Sequence, residues 1–498
     1  MFRKLFIVLV AFFPLAAAAQ TGTAYSAAQQ LPPATLVNDT LLWPADNAQP
    51  WTLQQCIAYA QVHNITIQQQ MLNVQLSEVN LRQSRGSVLP NLNGYASHTY
   101  QYGRTVDRYT NTFANSMVLS ENFYLSSSVT VFSGMQNYNL IQQNKFNVES
   151  SRFQLAQVSN DIGMNVASAY LQVLFTQDQL DLAKQQSELT RKQVARTQQL
   201  VDAGAAAQGA LFDLQSQLAQ EDYNVVSAEN SLTIAYLSLT QLMNLDSTAG
   251  FSIVRPNLDV PNEAVLAGTP DAIFQAALQS QPAIKRADMD YKSADKGVDV
   301  AYGALSPTLT LQGSIGTGYS GAAKDITGVN YAGYDTTGLT TGGDYVLTPN
   351  FTYNSVTTPW NDQISSNVNK SFGVQLTIPI FNRFQVSSSI ERAKIQRESA
   401  QLNIDLAHQQ LRKNIDQAWA DAKAALEKYH ASQKAVDAAQ ESFRYTEQKF
   451  NVGTVNSMDF NNSKNQLNRA QSQLIQAKYD YIFRLKVLDY YQGKPLTF

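Results

Sequence analysis

Two hydrophobic rhythms alternate along the chain. Some short stretches switch between apolar and polar residues one by one, the period of a strand. Long stretches carry apolar residues every three or four positions, the period of a helix. In 91–102, Leu92, Ala96, His98, Tyr100 and Tyr102 alternate with Asn93, Ser97, Thr99 and Gln101. In the returning segment Leu125, Val129 and Val131 alternate with Ser126, Ser128 and Thr130. Further on, Leu309, Leu311 and Ile315 alternate with Thr308, Thr310 and Gln312, and Phe372, Val374, Leu376 and Ile378 with Gly373, Gln375 and Thr377. The pattern predicts two β-hairpins, at about 91–132 and about 308–379. It suits a membrane-spanning strand with one face toward lipid, and equally a soluble sheet with one wet face. The connection 318–370, rich in Gly, Thr, Tyr and Asn and nearly uncharged, reads as a long external loop.

Helices surround these strands. One precedes each hairpin, over about 52–89 and about 270–305, and Pro90 and Pro307 stop it because proline cannot continue the backbone ladder. After each hairpin comes a much longer helical stretch, about 133–203 and about 384–452, without proline. At 1.5 Å per residue, 70 helical residues span ~105 Å, several times a globular domain. Gly204 and Gly453 end these stretches as helix-terminating glycines do, and second helices follow at about 208–244 and about 457–491. Their apolar stripe is narrow (Phe153, Val158, Ile162, Val166, Tyr170, Val173, Leu180), and the opposite face carries Gln, Asn and Ser rather than Glu and Lys. A solvent-facing helix usually carries charge. A weakly charged polar face suits the wall of an aqueous conduit or packing against other polar helices.

The same order of elements is written twice. Ile67, Gly86, Pro90 and Leu92 match Ile284, Gly303, Pro307 and Leu309 at an offset of 217. Phe132, Ala169–Tyr170 and Gly204 match Phe381, Ala418–Trp419 and Gly453 at an offset of 249. The change of offset requires one insertion of 32 residues between Leu309 and Phe381. This is a tandem duplication, with a first repeat over 51–250, a linker over 251–269 and a second repeat over 270–498.

Composition narrows the compartment. Arg3 and Lys4, an apolar run from Leu5 to Ala16 and the alanines that follow form a signal peptide, 1–19, ahead of an extended segment at 20–50. Removing Arg3 and Lys4 leaves 34 basic and 39 acidic side chains, a net charge of −5. That excludes a nucleic-acid binder, which needs a basic surface. Charged residues make up 15% of the chain, against about 25% in soluble domains. No later segment has the run of apolar residues needed for a spanning helix, so a membrane crossing would have to use strands. Four strands cannot close a barrel alone, and an open edge in lipid leaves backbone groups unpaired at several kcal/mol each. Two chains would supply eight strands and three would supply twelve; the physics alone leaves both open.

At this point the chain resembles the TolC family of outer-membrane efflux and secretion channels over about 51–492. The most specific piece is Phe450-Asn-Val-Gly-Thr-Val-Asn-Ser-Met-Asp-Phe-Asn462, similar to the family's VGT-x4-D turn; Leu376-Thr-Ile-Pro-Ile-Phe381 resembles its strand-to-helix junction. The resemblance implies a mixed α/β membrane protein. In it, a homotrimer makes a 12-stranded β-barrel, four strands per chain, in the outer membrane of a Gram-negative bacterium. That barrel continues into a long α-helical barrel across the periplasm. The resemblance also implies docking with a periplasmic adaptor and an inner-membrane transporter, with no cofactor and no catalysis.

By the family pattern, Gly204, Val452, Gly453 and Thr454 form the adaptor-docking tip; the plainer reading of Gly453 is a helix cap and nothing more. Asp459 matches an inward carboxylate. Three copies would form an anionic ring that favours cations. The plainer reading is a solvated acid in a first helical turn. The family's second inward aspartate is Asn462 here, and its counterpart in the first copy is Ala210. The family's tyrosine and arginine lock positions read Phe450 and Val455, which cannot make the same bonds. The expectation is a constriction packed around Phe450, Val455 and Met458.

Other candidates are weaker. Asp288, Asp290, Asp295 and Asp299 share a helix with Lys285, Arg286, Lys292 and Lys296, which reads as a mixed-charge surface rather than a metal or acid site. His63, His98, His408 and His430 lack ligand spacing, and Cys56 reads as a small apolar filler. No nucleophile motif or phosphate-binding glycine loop appears. Two classes remain: a passive exit duct, or a non-conducting secreted helical protein of structural or adhesive kind, which sustained heptads with charged flanks would have favoured.

Overall fold

The computed structural model describes residues 50–114, 117–245, 250–256 and 269–495. The signal peptide, nearly all of the 20–50 segment and most of the 251–269 linker lie outside the described residues. The first copy runs α1 (Leu53–His63), α2 (Ile65–Gly86), β1 (Asn93–Gln101), the short strands β2 (Thr105–Val106) and β3 (Phe113–Ala114), β4 (Val118–Ser133), α3 (Gln136–Asp202) and α4 (Gln208–Met243). The second runs α5 (Pro270–Ser280), α6 (Pro282–Gly303), β5 (Thr308–Ser320), β6 (Lys324–Leu339), β7 (Tyr345–Thr357), α7 (Trp360–Ser366), β8 (Asn369–Thr377), α8 (Gln385–Asn451) and α9 (Ser457–Tyr491).

The duplication is visible in the backbone. Helices α3 and α8 are each 67 residues long, and both their ends lie 249 positions apart. Each is entered through two consecutive left-handed residues, Gly134 and Met135 in the first copy and Arg383 and Phe384 in the second, again 249 apart. At Gly134 no side chain would fit, because a Cβ would stand 2.4 Å from the Gly303 carbonyl oxygen. The single helices expected over about 52–89 and about 270–305 are each broken, at Asn64 and at Gln281, 217 positions apart. Both residues have extended backbone. Asn64 leaves the helix because its side chain does other work. Its Nδ2 donates to the Leu242 carbonyl at 2.9 Å, while its Oδ1 accepts from the backbone of Thr66 at 2.9 Å and of Ile67 at 3.4 Å, capping α2. In the second copy Pro282 stands at the first helical position, where its missing N–H costs nothing.

The chain forms two compact units. The first takes in the described residues up to Gln69, within Gln157–Ser280 and from Leu411 onward. Its core is built on Trp51, Cys56, Val166, Tyr170, Leu174, Leu239, Met243 and Ile482. A parallel bridge joins Trp51 to Ile253, and the Tyr170 hydroxyl ties it down by donating to the carbonyls of Val254 (2.6 Å) and Trp51 (3.2 Å). Burial pushes the Cys56 thiol up to about 12, so it remains a neutral apolar filler. Helix α1 opens with a reciprocal cap: Gln55 N–H donates to the Thr52 hydroxyl at 3.3 Å and Thr52 N–H to the Gln55 side chain at 2.8 Å.

The second unit, Gln70–Ala156 with Gln281–Gln410, holds the sheet. Its order is β1-β4-β5-β8, antiparallel throughout, with β1 and β8 at the two edges. The register aligns like with like. Phe132, Leu309 and Leu376 stand in one row, Val129, Leu311 and Val374 in the next, and Leu125 opposite Ile315 in a third. The other face carries rows such as Thr130, Thr310 and Gln375, and Ser126, Ser314 and Ser371, without a charged residue. On the apolar face Lys370 completes the Leu125–Ile315 row, and Glu121, opposite His98, lies farther from the long helices. The alternation read along each strand is therefore coherent across all four. The connection from β1 to β4 has 16 residues (102–117) and that from β5 to β8 has 48 (321–368), 32 more. The expected long loop is largely regular structure: it contains the β6–β7 hairpin and α7. Gln363 of α7 fastens the base of this insertion to Ser320, side chain to backbone in both directions at 2.9 Å.

Candidate functional site at the helix turns

The two turns between long helices have one backbone. Gly204 N–H donates to the Val201 carbonyl at 2.9 Å and Ala205 N–H to Leu200 at 2.7 Å; Gly453 donates to Phe450 at 3.0 Å and Thr454 to Lys449 at 3.0 Å. Both glycines have positive φ, +70° and +76°, the left-handed conformation that ends a helix. The side chains differ. Ala207 gives α4 no side-chain cap. Asn456 caps α9, accepting from Asp459 N–H at 2.8 Å, and Thr454 hydroxyl donates to the Lys449 carbonyl at 3.0 Å.

Gly204, Val452, Gly453 and Thr454 are all exposed, Val452 at 75%. Asp459 and Asn462 are exposed on α9, and Asp459 lies in its first turn. The residues expected to pack the constriction differ in exposure within one chain. Phe450 is half-buried and stacks on Phe460 at 4.6 Å between ring centroids, and Phe460 meets Phe443 at 5.5 Å. Val455 is half-buried and Met458 is 71% exposed. Sequence reasoning overlooked Phe460, the fully buried ring at the centre of this cluster.

It also overlooked a buried ion pair farther along α9. Lys464 is 1% exposed and Glu221 of α4 is 4% exposed. Lys464 Nζ donates to Glu221 Oε1 at 2.7 Å, to the Thr190 hydroxyl of α3, and to the Gln186 carbonyl at 3.4 Å. Thr190 donates to Glu221 Oε2 at 2.5 Å and Gln217 Nε2 to Oε1 at 2.8 Å. The pair thus ties the second helix pair to the first. Burial holds the Lys464 ammonium below its ordinary range, with Glu221 pulling the other way. Around it Gln186 Oε1, Gln193 Oε1, Asn461 Oδ1 and Asn468 Oδ1 are buried without a donor from the chain, so this band is incompletely paired. Nearer the turn, Arg196 of α3 donates to the side chain and carbonyl of Asn451. A signal existed: Lys464 falls between Phe460 and Leu467, and Glu221 follows Leu211 and Leu214, each at a stripe position where helical spacing calls for an apolar residue.

Helix α6, with four acidic and four basic residues, shows the mixed-charge pattern. Asp288 meets Lys292 at 2.6 Å, Asp299 meets Lys296 at 2.7 Å and Asp295 meets Arg397 at 3.4 Å. Among the described residues no three His, Cys, Asp or Glu side chains gather as metal ligands would. Also among the described residues, no helix is long and apolar enough to cross a membrane.

The family model described as outer membrane efflux protein matches residues 57–245 and 273–491, one segment in each copy. The chain belongs to the outer membrane efflux protein family. It is 24% identical over 440 residues to the outer membrane protein TolC of Escherichia coli (strain K12), covering 87% of this chain and 80% of that protein. It is 22% identical over 466 residues to the outer membrane efflux protein BepC of Brucella suis biovar 1 (strain 1330), covering 92% and 89%. Among solved structures, the Campylobacter jejuni CmeC outer membrane channel superposes with a TM-score of 0.72 at 15% identity, covering 89% of this chain and 85% of that one. As a member of the outer membrane efflux protein family, the chain is an outer-membrane channel protein, and a non-conducting stalk or adhesin is not favoured.

Proposed function

We propose that three copies of the chain close one 12-stranded barrel, with β1 of each copy pairing with β8 of the next. The duct so formed carries cargo passively from an inner-membrane transporter and its periplasmic adaptor to the exterior, in efflux or in type I secretion. The observation that carries this reading is the sheet. It has an apolar face for lipid, an uncharged polar face for a lumen, and two nine-residue edge strands whose outer backbone groups have no partner in the sheet. In hydrocarbon those groups cost several kcal/mol each unless another strand covers them. The test is reconstitution in planar bilayers. Stable single-channel conductance is expected, and a non-conducting protein would overturn the reading.

Within this duct, Gly204, Val452, Gly453 and Thr454 form the adaptor-docking surface, and their exposure supports the assignment. Asp459 forms the anionic ring, with Asn462 beside it on the same exposed stretch of α9. Asp459→Ala weakens block by multivalent cations in single-channel recordings; an unchanged block would overturn the ring. The tip is held by the links between the two copies, Lys464 with Glu221 and Thr190, and Arg196 with Asn451, in place of a tyrosine and arginine lock.

A further inference from the structure

The 32-residue difference between the copies is spent on the β6–β7 hairpin, whose two faces are unlike. The register places Val329 opposite Tyr353, Tyr331 opposite Phe351, and Tyr334 opposite Pro349 on one face. Bulges after Ile326, Tyr331 and Thr336 keep that face in step as the strands twist. Tyr331 packs edge-on against both Phe351 (5.9 Å) and Tyr334 (5.6 Å), so the rings form one surface. The other face pairs Asn330 with Thr352, Gly333 with Asn350 and Asp335 with Thr348. Tyr331, Tyr334 and Tyr353 are more than half exposed in the chain, and Val329, Leu347 and Phe351 nearly as much or more. A contiguous aromatic face of this length in water marks a surface that something covers.

We infer that the aromatic face of the β6–β7 hairpin is covered by the same face on neighbouring copies of this chain, so that three hairpins form an apolar collar over the external mouth. The inference rests on the shared-barrel reading. Two observations favour another copy as the occupant. From Ile326 to Leu339 the paired rows of the aromatic face contain no charged residue, Lys324 stands on that face only at the base of the hairpin, and Asp325 and Asp335 lie on the other face, so like faces meet above the base without burying charge. The hairpin also stands beside the seam: α7 ties its base to β5, and the chain then enters β8, the edge strand that must pair with the next copy. The first copy, with 16 residues in this connection, supplies no second collar.

The experiment uses the purified full-length oligomer and a short bismaleimide. Tyr353→Cys places a thiol on the aromatic face and Thr352→Cys on the polar face of the same strand; Cys56 is buried, so the unsubstituted protein is the blank. The expected result is loss of the monomer band into covalent dimers and trimers for Tyr353→Cys, with the monomer kept for Thr352→Cys. Tyr334→Cys repeats the test on the other strand. An oligomer of correct mass in which neither aromatic-face variant cross-links overturns the collar and leaves the barrel reading standing. So does quenching, by brominated lipid, of a fluorophore attached to the new thiol of the Tyr353→Cys variant, which would make lipid the occupant. A monomeric protein overturns both.

Discussion

The turn after α3 and the turn after α8 share glycine position, hydrogen bonds and helix lengths, and differ in nearly every side chain. The first is alanine-rich and uncapped. The second has an asparagine cap, a stacked pair of phenylalanines and a carboxylate in its first turn. Duplication preserved the geometry and released the chemistry. The first copy still contributes, since Glu221, Thr190 and Arg196 are the partners on which Lys464 and Asn451 of the second copy close. Two like backbones therefore carry unlike side chains, and the first supplies the partners that hold the second.

The sharpest way to break this division is at the anchor. Lys464→Met leaves Glu221 buried and unpaired, which costs about 3–5 kcal/mol. The thermal midpoint in detergent should fall accordingly, and Lys464→Met with Glu221→Leu should recover most of the loss. Equal losses in the single and double variants would mean that the pair does not couple the copies. A smaller effect separates the two caps. Asn456→Ala removes the bond from Asp459 N–H and should cost about 1 kcal/mol, whereas Ala207→Asn should stabilise the first turn by a similar amount. Thermal denaturation of both variants checks this.

The smallest effect is a pH dependence. Lys464 is held below its free value of 10.5 in the folded chain. Between the folded value and 10.5 the unfolded chain binds the proton more strongly, so this group makes stability rise with pH in that window. Below the folded value its full penalty is present. Midpoints of the native protein and Lys464→Met from neutral pH to 10.5 should diverge in slope, the native protein gaining relative to the variant.

How much of this could be read from residues alone depends on whether the signal was local. Strand alternation is local and periodic, and the cross-strand rows of Leu, Val and Phe follow from it. The break at Gln281 was announced by Pro282, but that at Asn64 was not, because a side chain reaching across to the Leu242 carbonyl leaves no mark in its neighbours. The weakly charged stretch 318–370 reads as a loop because three bulges, all in β6, break the period of two there, although β7 keeps it, with Leu347, Phe351 and Tyr353 alternating with Thr348, Asn350 and Thr352. At the turns, Gly204 and Gly453 were legible from helix-ending chemistry. The ion pair was not: a lone lysine on an apolar stripe looks like an irregularity until the facing stripe, 243 positions away, is known to carry a glutamate.

The proposed barrel needs more strands than the four-stranded sheet of one chain supplies. The mass of the detergent-solubilised particle, corrected for bound detergent, tests this most directly. Three 55.0 kDa chains, less their signal peptides, are predicted. A stable particle of one chain would contradict the account.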